Sequence, residues 1–254
     1  MARLNSFYLA PEDWPDSGPA RLEGSEARHL TGVLRAAPGV EVRLFDGRGR
    51  HGIFRLAAAD KRGCRLDPVR VETLPRPANR PILALGWNKS SRRDWLLEKA
   101  VELEAGGLVF WQAARSQGRV PDDAKEAWTV KLAQAAKQCG NPWLPEIEVL
   151  PGGVDALIAF AARAARCYVL WEGAAADETS PLLHPEDLVP GPCLLVIGPE
   201  GGLETGEVAR LTAAGMLPVS LGRSVLRWET AALHALGLAF HARHARRAPR
   251  AEAP

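Results

Sequence analysis

Hydrophobic and polar positions change rhythm along this chain near residue 75. Before that point, short strand-like runs at 40–45, 52–57 and 63–71 alternate with turns. Such spacing predicts a small antiparallel barrel or sandwich over residues 1–74. Residues 25–34 read as a short helix with Ser25 as its cap. Residues 75–81 (Pro-Arg-Pro-Ala-Asn-Arg-Pro) read as a stiff linker, because proline disfavours both helix and ladder pairing. Beyond it, apolar runs at 82–87, 108–111, 167–171, 193–197 and 217–221 alternate with helical stretches at 92–105, 122–139, 156–165 and 229–244. In the second of these helices Trp128, Leu132, Ala135 and Cys139 recur at core-facing spacing. The alternation predicts an α/β domain with a mostly parallel sheet over residues 82–245. The Arg-, Ala- and Pro-rich tail at 246–254 is expected to be disordered.

Composition narrows the class without naming a chemistry. A 254-residue chain with 46% hydrophobic and 24% charged residues is an ordinary globular protein with ample core material. No apolar run approaches the roughly 20 residues of a membrane span, and the first residues lack a signal-peptide core. Cys64, Cys139, Cys167 and Cys193 lie too far apart for a metal pair and read as small buried hydrophobes suited to a reducing cytoplasm. Trp95, Trp111 and Trp128 are likewise placed in the core.

The formal charge is only +2, but its distribution is uneven. Seven basic residues between Arg43 and Arg65 face two acids, and five between Arg76 and Arg93 face none. Such patches bind phosphates or are simply solvated, and the pattern weighs the two readings equally. The run from Gly47 to Gly52 has the spacing G-x-G-x-x-G, but a strand-like stretch follows it where a dinucleotide site needs a helix. It reads as a basic hairpin loop.

Two C-terminal blocks carry more. Ile197-Gly198-Pro199-Glu200-Gly201-Gly202-Leu203 follows one strand, and Leu221-Gly222-Arg223-Ser224-Val225-Leu226-Arg227-Trp228-Glu229-Thr230-Ala231 follows the next. Each leads into a stretch with helical spacing. Glycine at a strand's end lets backbone approach a ligand, and parallel sheets bind ligands beyond the carboxyl ends of their strands. The phosphate-loop, zinc-protease and nucleophile-elbow motifs are missing, and six scattered histidines make no ligand cluster. His234 reads as a core or interface histidine.

These blocks resemble the signatures of the ribosomal RNA small-subunit methyltransferase E family, within the SPOUT superfamily. His29-Leu30-Thr31-Gly32-Val33-Leu34-Arg35 with Leu44-Phe45-Asp46-Gly47 is similar to that family's N-terminal domain. Lys89, then Lys99-Ala100-Val101-Glu102-Leu103 and Arg115-Ser116, is similar to its first catalytic-domain helix and a later loop. Gln138-Cys139-Gly140 with Pro145-Glu146-Ile147 resembles its central motif. Lys137, Asn141 and Trp228 depart from the family's usual residues.

The resemblance implies a PUA-like barrel, then a trefoil-knotted α/β domain, in a homodimer that uses S-adenosylmethionine to methylate N3 of one uridine in 16S rRNA. The residues themselves, with no metal-type cysteine pair and no apolar run of membrane length, lead to the expectation of no metal and no membrane. The resemblance places the cofactor among Leu170, Trp171 and Glu172, residues 197–202 (Ile197, Gly198, Pro199, Glu200, Gly201, Gly202) and residues 221–226 (Leu221, Gly222, Arg223, Ser224, Val225, Leu226). Arg28, Arg35, Arg48 and Arg50, with Lys89, Arg92 and Arg93, are the candidates for holding RNA.

Uracil N3 bears a proton, so the reaction must remove it and stabilise charge on O2 and O4. Arg227, with several fixed donors, suits the charge. Glu229 is either a base or an N-terminal helix carboxylate in a structural or interface role, and Glu200 either a base or a loop-orienting group. Two rivals stand: another SPOUT enzyme acting on tRNA or ribose, and a non-catalytic RNA-binding protein.

Overall fold

The computed structural model describes residues 4–89, 92–176, 181–189 and 191–245, so the tail at 246–254 lies outside the described residues. The chain divides into two units: Met1–Arg76 with Leu132–Leu144, and Pro77–Lys131 with Pro145–Pro254.

In the N-terminal unit, β1 (Ser6–Tyr8), β2 (Ala20–Leu22), β3 (Glu41–Phe45), β4 (Arg50–Ala59) and β5 (Cys64–Thr73) form one sheet in the order β1-β3-β4-β5-β2. All its pairs are antiparallel except β1 with β3. Alternation turns Val42, Leu44, Phe54 and Leu56 into a core with Phe7, Leu22, Leu30 and Leu66. Pro68, which cannot donate to a ladder, sits where the β4–β5 register shifts. Helix α1 (Gly24–Arg28) runs on into a π-turn at His29–Val33. Its cap position is Glu23, so Ser25 lies inside the first turn, and the expectation that Ser25 caps the helix is corrected.

The Gly47–Gly52 run is part connection and part strand: residues 46–49 join β3 to β4, and Arg50, His51 and Gly52 already belong to β4. Its anchor is Asp46, fully buried, which accepts from the backbone amides of Arg48 (2.7 Å) and Arg50 (3.0 Å) and from Arg50 Nε (2.6 Å). Residues 132–144 belong to the same unit, where Lys137 Nζ pairs with Glu26 Oε1 at 2.6 Å. Asn141 Oδ1 accepts from the Trp143 amide at 3.1 Å. Two departures from the family pattern thus serve local structure.

In the second unit, β6 (Ile82–Gly86), β7 (Gly107–Trp111), β8 (Glu146–Leu150), β9 (Arg166–Leu170), β10 (Cys193–Ile197) and β11 (Leu217–Val219) form a wholly parallel sheet in the order β11-β9-β10-β6-β7-β8. The helices after β6 are α2 (Arg92–Glu102), α3 (Glu126–Cys139, whose residues from Leu132 group with the N-terminal unit), α4 (Gly153–Ala161), α5 (Gly173–Ala176), α6 (Thr205–Ala213) and α7 (Trp228–Ala245). The central strands are continuously apolar because helices cover both faces, and Leu83, Leu108, Phe110, Leu194 and Leu195 are fully or almost fully buried. β10 lies between β6 and β9, whereas β11 lies on the far side of β9. The chain therefore doubles back across β9, and the carboxyl ends of β9, β10 and β11 adjoin.

Several expectations need correction. Trp95 is 45% exposed on α2, while Trp111 and Trp128 are buried. Cys139 is exposed at the end of α3, and His234, exposed on α7, is not a core histidine, which leaves its interface reading. Helix α4 ends at Ala161, four residues before the expected limit.

The cysteines differ in reactivity. Burial raises the thiols of Cys64 and Cys167 above the ordinary 9.0, and pushes Cys193 up to about 12. Native alkylation at pH 8 should therefore label Cys139 first and leave Cys193 untouched until the chain is unfolded, as read by peptide mass spectrometry. The same shift has a linkage sign. The unfolded thiol ionises first, so the stabilisation is complete below pH 9 and is lost as pH rises towards 12.

Candidate active site

A cavity of about 580 Å³ opens where the loops after β9, β10 and β11 meet. Leu170, Trp171 and Glu172 line it from β9, and Ile197, Gly198, Pro199, Glu200 and Gly202 from β10. From beyond β11 come Leu221, Gly222, Ser224, Val225, Leu226, Arg227 and Trp228. Arg92, at the start of α2, completes the wall with Ala231. The volume falls in the roughly 300–1,000 Å³ range of small-molecule and cofactor sites.

Glycine shapes this wall by what it omits. A Cβ on Gly198 would stand 2.8 Å from Leu203 Cγ, and Gly202 has φ +74 with Glu172 Oε1 2.3 Å from where its Cβ would be. At the end of β6, a Cβ on Gly86 would stand 2.4 Å from Pro199 N. Sequence reasoning missed Gly86, because a single glycine closing a strand looks like any other strand end.

The loop after β10 is held from the side. Arg115 Nη1 donates to the Gly201 carbonyl at 3.2 Å, and Gln117 Nε2 donates to Glu200 Oε2 at 3.3 Å. The buried Glu207 accepts from the Ala114 amide at 2.8 Å and from the Glu204 amide at 3.0 Å. It thereby ties the start of α6 to the loop beyond β7. Ser220 Oγ and the Gly222 amide, 3.0 Å apart, stiffen the turn after β11.

Thirteen of the fifteen residues assigned to the cofactor by resemblance line the cavity. Gly201 turns towards Arg115 instead, and Arg223 is exposed outside the lining. Arg227 lines the wall. Glu229 does not: it is 5% exposed in the first turn of α7, and its Oε1 accepts from Arg92 Nη1. The structure thus gives Glu229 a guanidinium partner.

The RNA candidates separate as well. Arg28, Arg35 and Arg48 are exposed in the N-terminal unit. Arg50 is committed to Asp46, to the Pro11 carbonyl (2.8 Å) and to the face of Trp14. Lys89 and Arg92 are exposed in the second unit. Arg93 stacks over Trp87 (4.8 Å) and Trp128 (5.5 Å), and burial draws its pKa below the ordinary guanidinium value. Among the described residues no group of His, Cys, Asp or Glu could hold a metal ion, and no helix is long and apolar enough to cross a membrane.

A curled β unit followed by a parallel α/β unit, with a glycine-walled cavity at its carboxyl edge, has the architecture of an RNA methyltransferase. Residues 75–239 match the RNA methyltransferase domain family, and residues 22–69 the RNA methyltransferase PUA domain. The chain is 33% identical over 240 residues to the ribosomal RNA small subunit methyltransferase E of Mycobacterium bovis, across 91% of this chain and 89% of that protein. It belongs to the ribosomal RNA small subunit methyltransferase E family.

Solved structures agree. A probable rRNA methyltransferase from Porphyromonas gingivalis is 31% identical with a TM-score of 0.79, covering 96% of this chain and all of that one. The ribosomal RNA small subunit methyltransferase E from Neisseria gonorrhoeae, bound to S-adenosyl methionine, is 26% identical with a TM-score of 0.74, covering 92% and 96%.

Proposed function

We propose that this chain transfers a methyl group from S-adenosylmethionine to N3 of one uridine in 16S rRNA of the small ribosomal subunit. The observation that carries the reading is the cavity. Three loops at adjoining strand ends, the one after β10 rich in glycine, enclose it with Arg227 on the wall. Leu170, Trp171 and Glu172, the 197–202 loop and the 221–226 loop would hold the cofactor, largely through backbone. The fit is good. Gly86, Gly198 and Gly202 let the segments of the wall pack closer than a Cβ would allow, and the Glu172 and Glu200 carboxylates at the wall suit hydroxyl and ammonium groups.

The cofactor supplies a methyl on a sulfonium, already a strong electrophile, so the protein's task is orientation and activation of the nitrogen. Arg227 stabilises negative charge spreading to O2 and O4 as the N3 proton leaves. N3 lies on the Watson–Crick edge, so the uridine enters unpaired or flipped out of its stack. Exposed Arg28, Arg35 and Arg48, with Lys89 and Arg92, hold the RNA backbone.

We read the protein as a cytoplasmic homodimer. In support, α7 leaves Leu233, Leu238 and Phe240 half-buried and His234 exposed on a single chain. The doubling back of the chain across β9 is where we read the trefoil knot. Domain limits of 1–74 and 82–245, with 75–81 as linker, accord with a division after Arg76, although 132–144 groups with the N-terminal unit.

The test has two parts. Titration with S-adenosylmethionine should give saturable binding that Gly201→Trp weakens, since a side chain there pushes on Arg115, whose guanidinium holds the loop that walls the cavity. Mass spectrometry of 16S rRNA from a deletion strain should show loss of 3-methyluridine. If the modified base persists, the target assignment is wrong; if neither protein binds the cofactor, the enzyme reading is.

A further inference from the structure

The carboxylate of Glu229 is almost wholly buried, at the start of a long helix beside the cavity, yet it does not line that cavity. What it touches is Arg92, on the first turn of α2, which packs against α7. The Arg92 side chain is 48% exposed, and the residue lines the cavity together with Arg227. The pair is therefore asymmetric. One member is sealed inside the protein and the other reaches the opening.

Ionised carboxylates are costly to bury, and a buried one is normally found with a cation or several donors. Here the partner is a long side chain with many accessible rotamers. A buried, helix-anchored carboxylate selects one position for it, and a planar guanidinium presents its donors in a fixed fork. Glu229 also sits in the first turn of α7, where the helix dipole favours a negative charge.

We infer that Glu229 is a positioning residue. It fixes the Arg92 guanidinium at the cavity wall, so that Arg92 and Arg227 together form a seat for an anionic nucleotide. This deepens the methyltransferase reading and rests on it for the identity of the nucleotide as part of an RNA. It gives Glu229 no part in proton transfer, because the residue is not part of the cavity lining. Arg92 engages the nucleotide's phosphate, and Arg227 is left for the base.

The experiment is a titration of the full chain with a fluorescent oligouridylate, without cofactor, over a range of salt concentrations. Arg92→Ala should weaken binding about tenfold. It should also lower the slope of log affinity against log salt by about 0.7, the value for one phosphate contact on a single strand. Glu229→Ala should give the same loss, and the double variant should be no weaker than Arg92→Ala alone. Glu229→Gln, which keeps an acceptor but not the charge, should fall between. S-adenosylmethionine affinity should fall far less than RNA affinity in every variant.

Wild-type RNA affinity in Glu229→Gln, together with loss of the acid limb of the pH–rate profile, would make Glu229 a base and overturn the inference. Additive losses in the double variant would also overturn it. Should Glu229→Ala fail to fold, Arg92→Ala and Glu229→Gln still decide through RNA affinity and pH profile. The methyltransferase reading fails separately, if the wild-type chain binds no S-adenosylmethionine.

Discussion

Gly86→Ala is expected to weaken S-adenosylmethionine binding by about ten- to a hundredfold. Gly86 closes β6, and its missing side chain faces the loop after β10. An added Cβ would stand 2.4 Å from Pro199 N, 2.6 Å from Pro199 Cδ and 2.8 Å from the Gly198 carbonyl carbon. Two of these are backbone atoms and one belongs to a proline ring, so no rotamer change relieves the clash. Either β6 or the 198–199 segment must move, and that segment is cavity wall. Overpacking of this kind costs about 1–3 kcal/mol, which corresponds to the affinity loss stated. The matched control is Gly206→Ala, early in α6, where an added Cβ meets nothing within 4 Å. It should leave affinity unchanged and stabilise the chain by roughly 0.5–1 kcal/mol, because alanine suits a helix better. Calorimetric titration and chemical denaturation report both effects; a Gly86→Ala chain that binds like wild type would remove this glycine from the argument.

Arg227→Ala should lower single-turnover methyl transfer by about a hundred- to a thousandfold, the cost of removing one donor aimed at developing charge. Cofactor affinity should stay within about threefold, because the glycine loops, not this side chain, form most of the wall. Arg227→Lys should recover only part of the rate, since an ammonium cannot present the same fork of donors. The measurement needs saturating cofactor, so that binding and chemistry separate. A variant that keeps its rate and loses cofactor affinity would reverse the role given to Arg227.

The parts of this molecule most legible in its sequence are those fixed by local chemistry. The run from Cys193 to Ile197 is a strand with those same limits, because five apolar residues between a proline and a glycine have little else to do. Most of the residues drawn from the two signature blocks and from the end of β9 line one cavity. Strand β8 was invisible as an element. Its Glu-Ile-Glu-Val-Leu run sits at the sheet edge, half-buried, so it lacks the apolar continuity of the strands beside it. Trp95 was misread because helical spacing places a residue on a face without saying what that face meets. Arg50 and Arg93 counted as phosphate ligands in the sequence, but one is spent on buried Asp46 and the other on two tryptophans. The partnership of Glu229 with Arg92 joins residues more than a hundred positions apart, and no local pattern carries it.

The insertion of β10 between β6 and β9 also sets an order in time. Ile82 pairs with Leu194, more than a hundred residues later, so the middle of the parallel sheet cannot close while the chain is being made until β10 has left the ribosome. The five strands of the N-terminal sheet, by contrast, all lie before residue 74 and can pair early. A nascent chain would therefore carry its small β sheet before it has a methyl-transfer pocket, and residues 132–144 complete that unit only later.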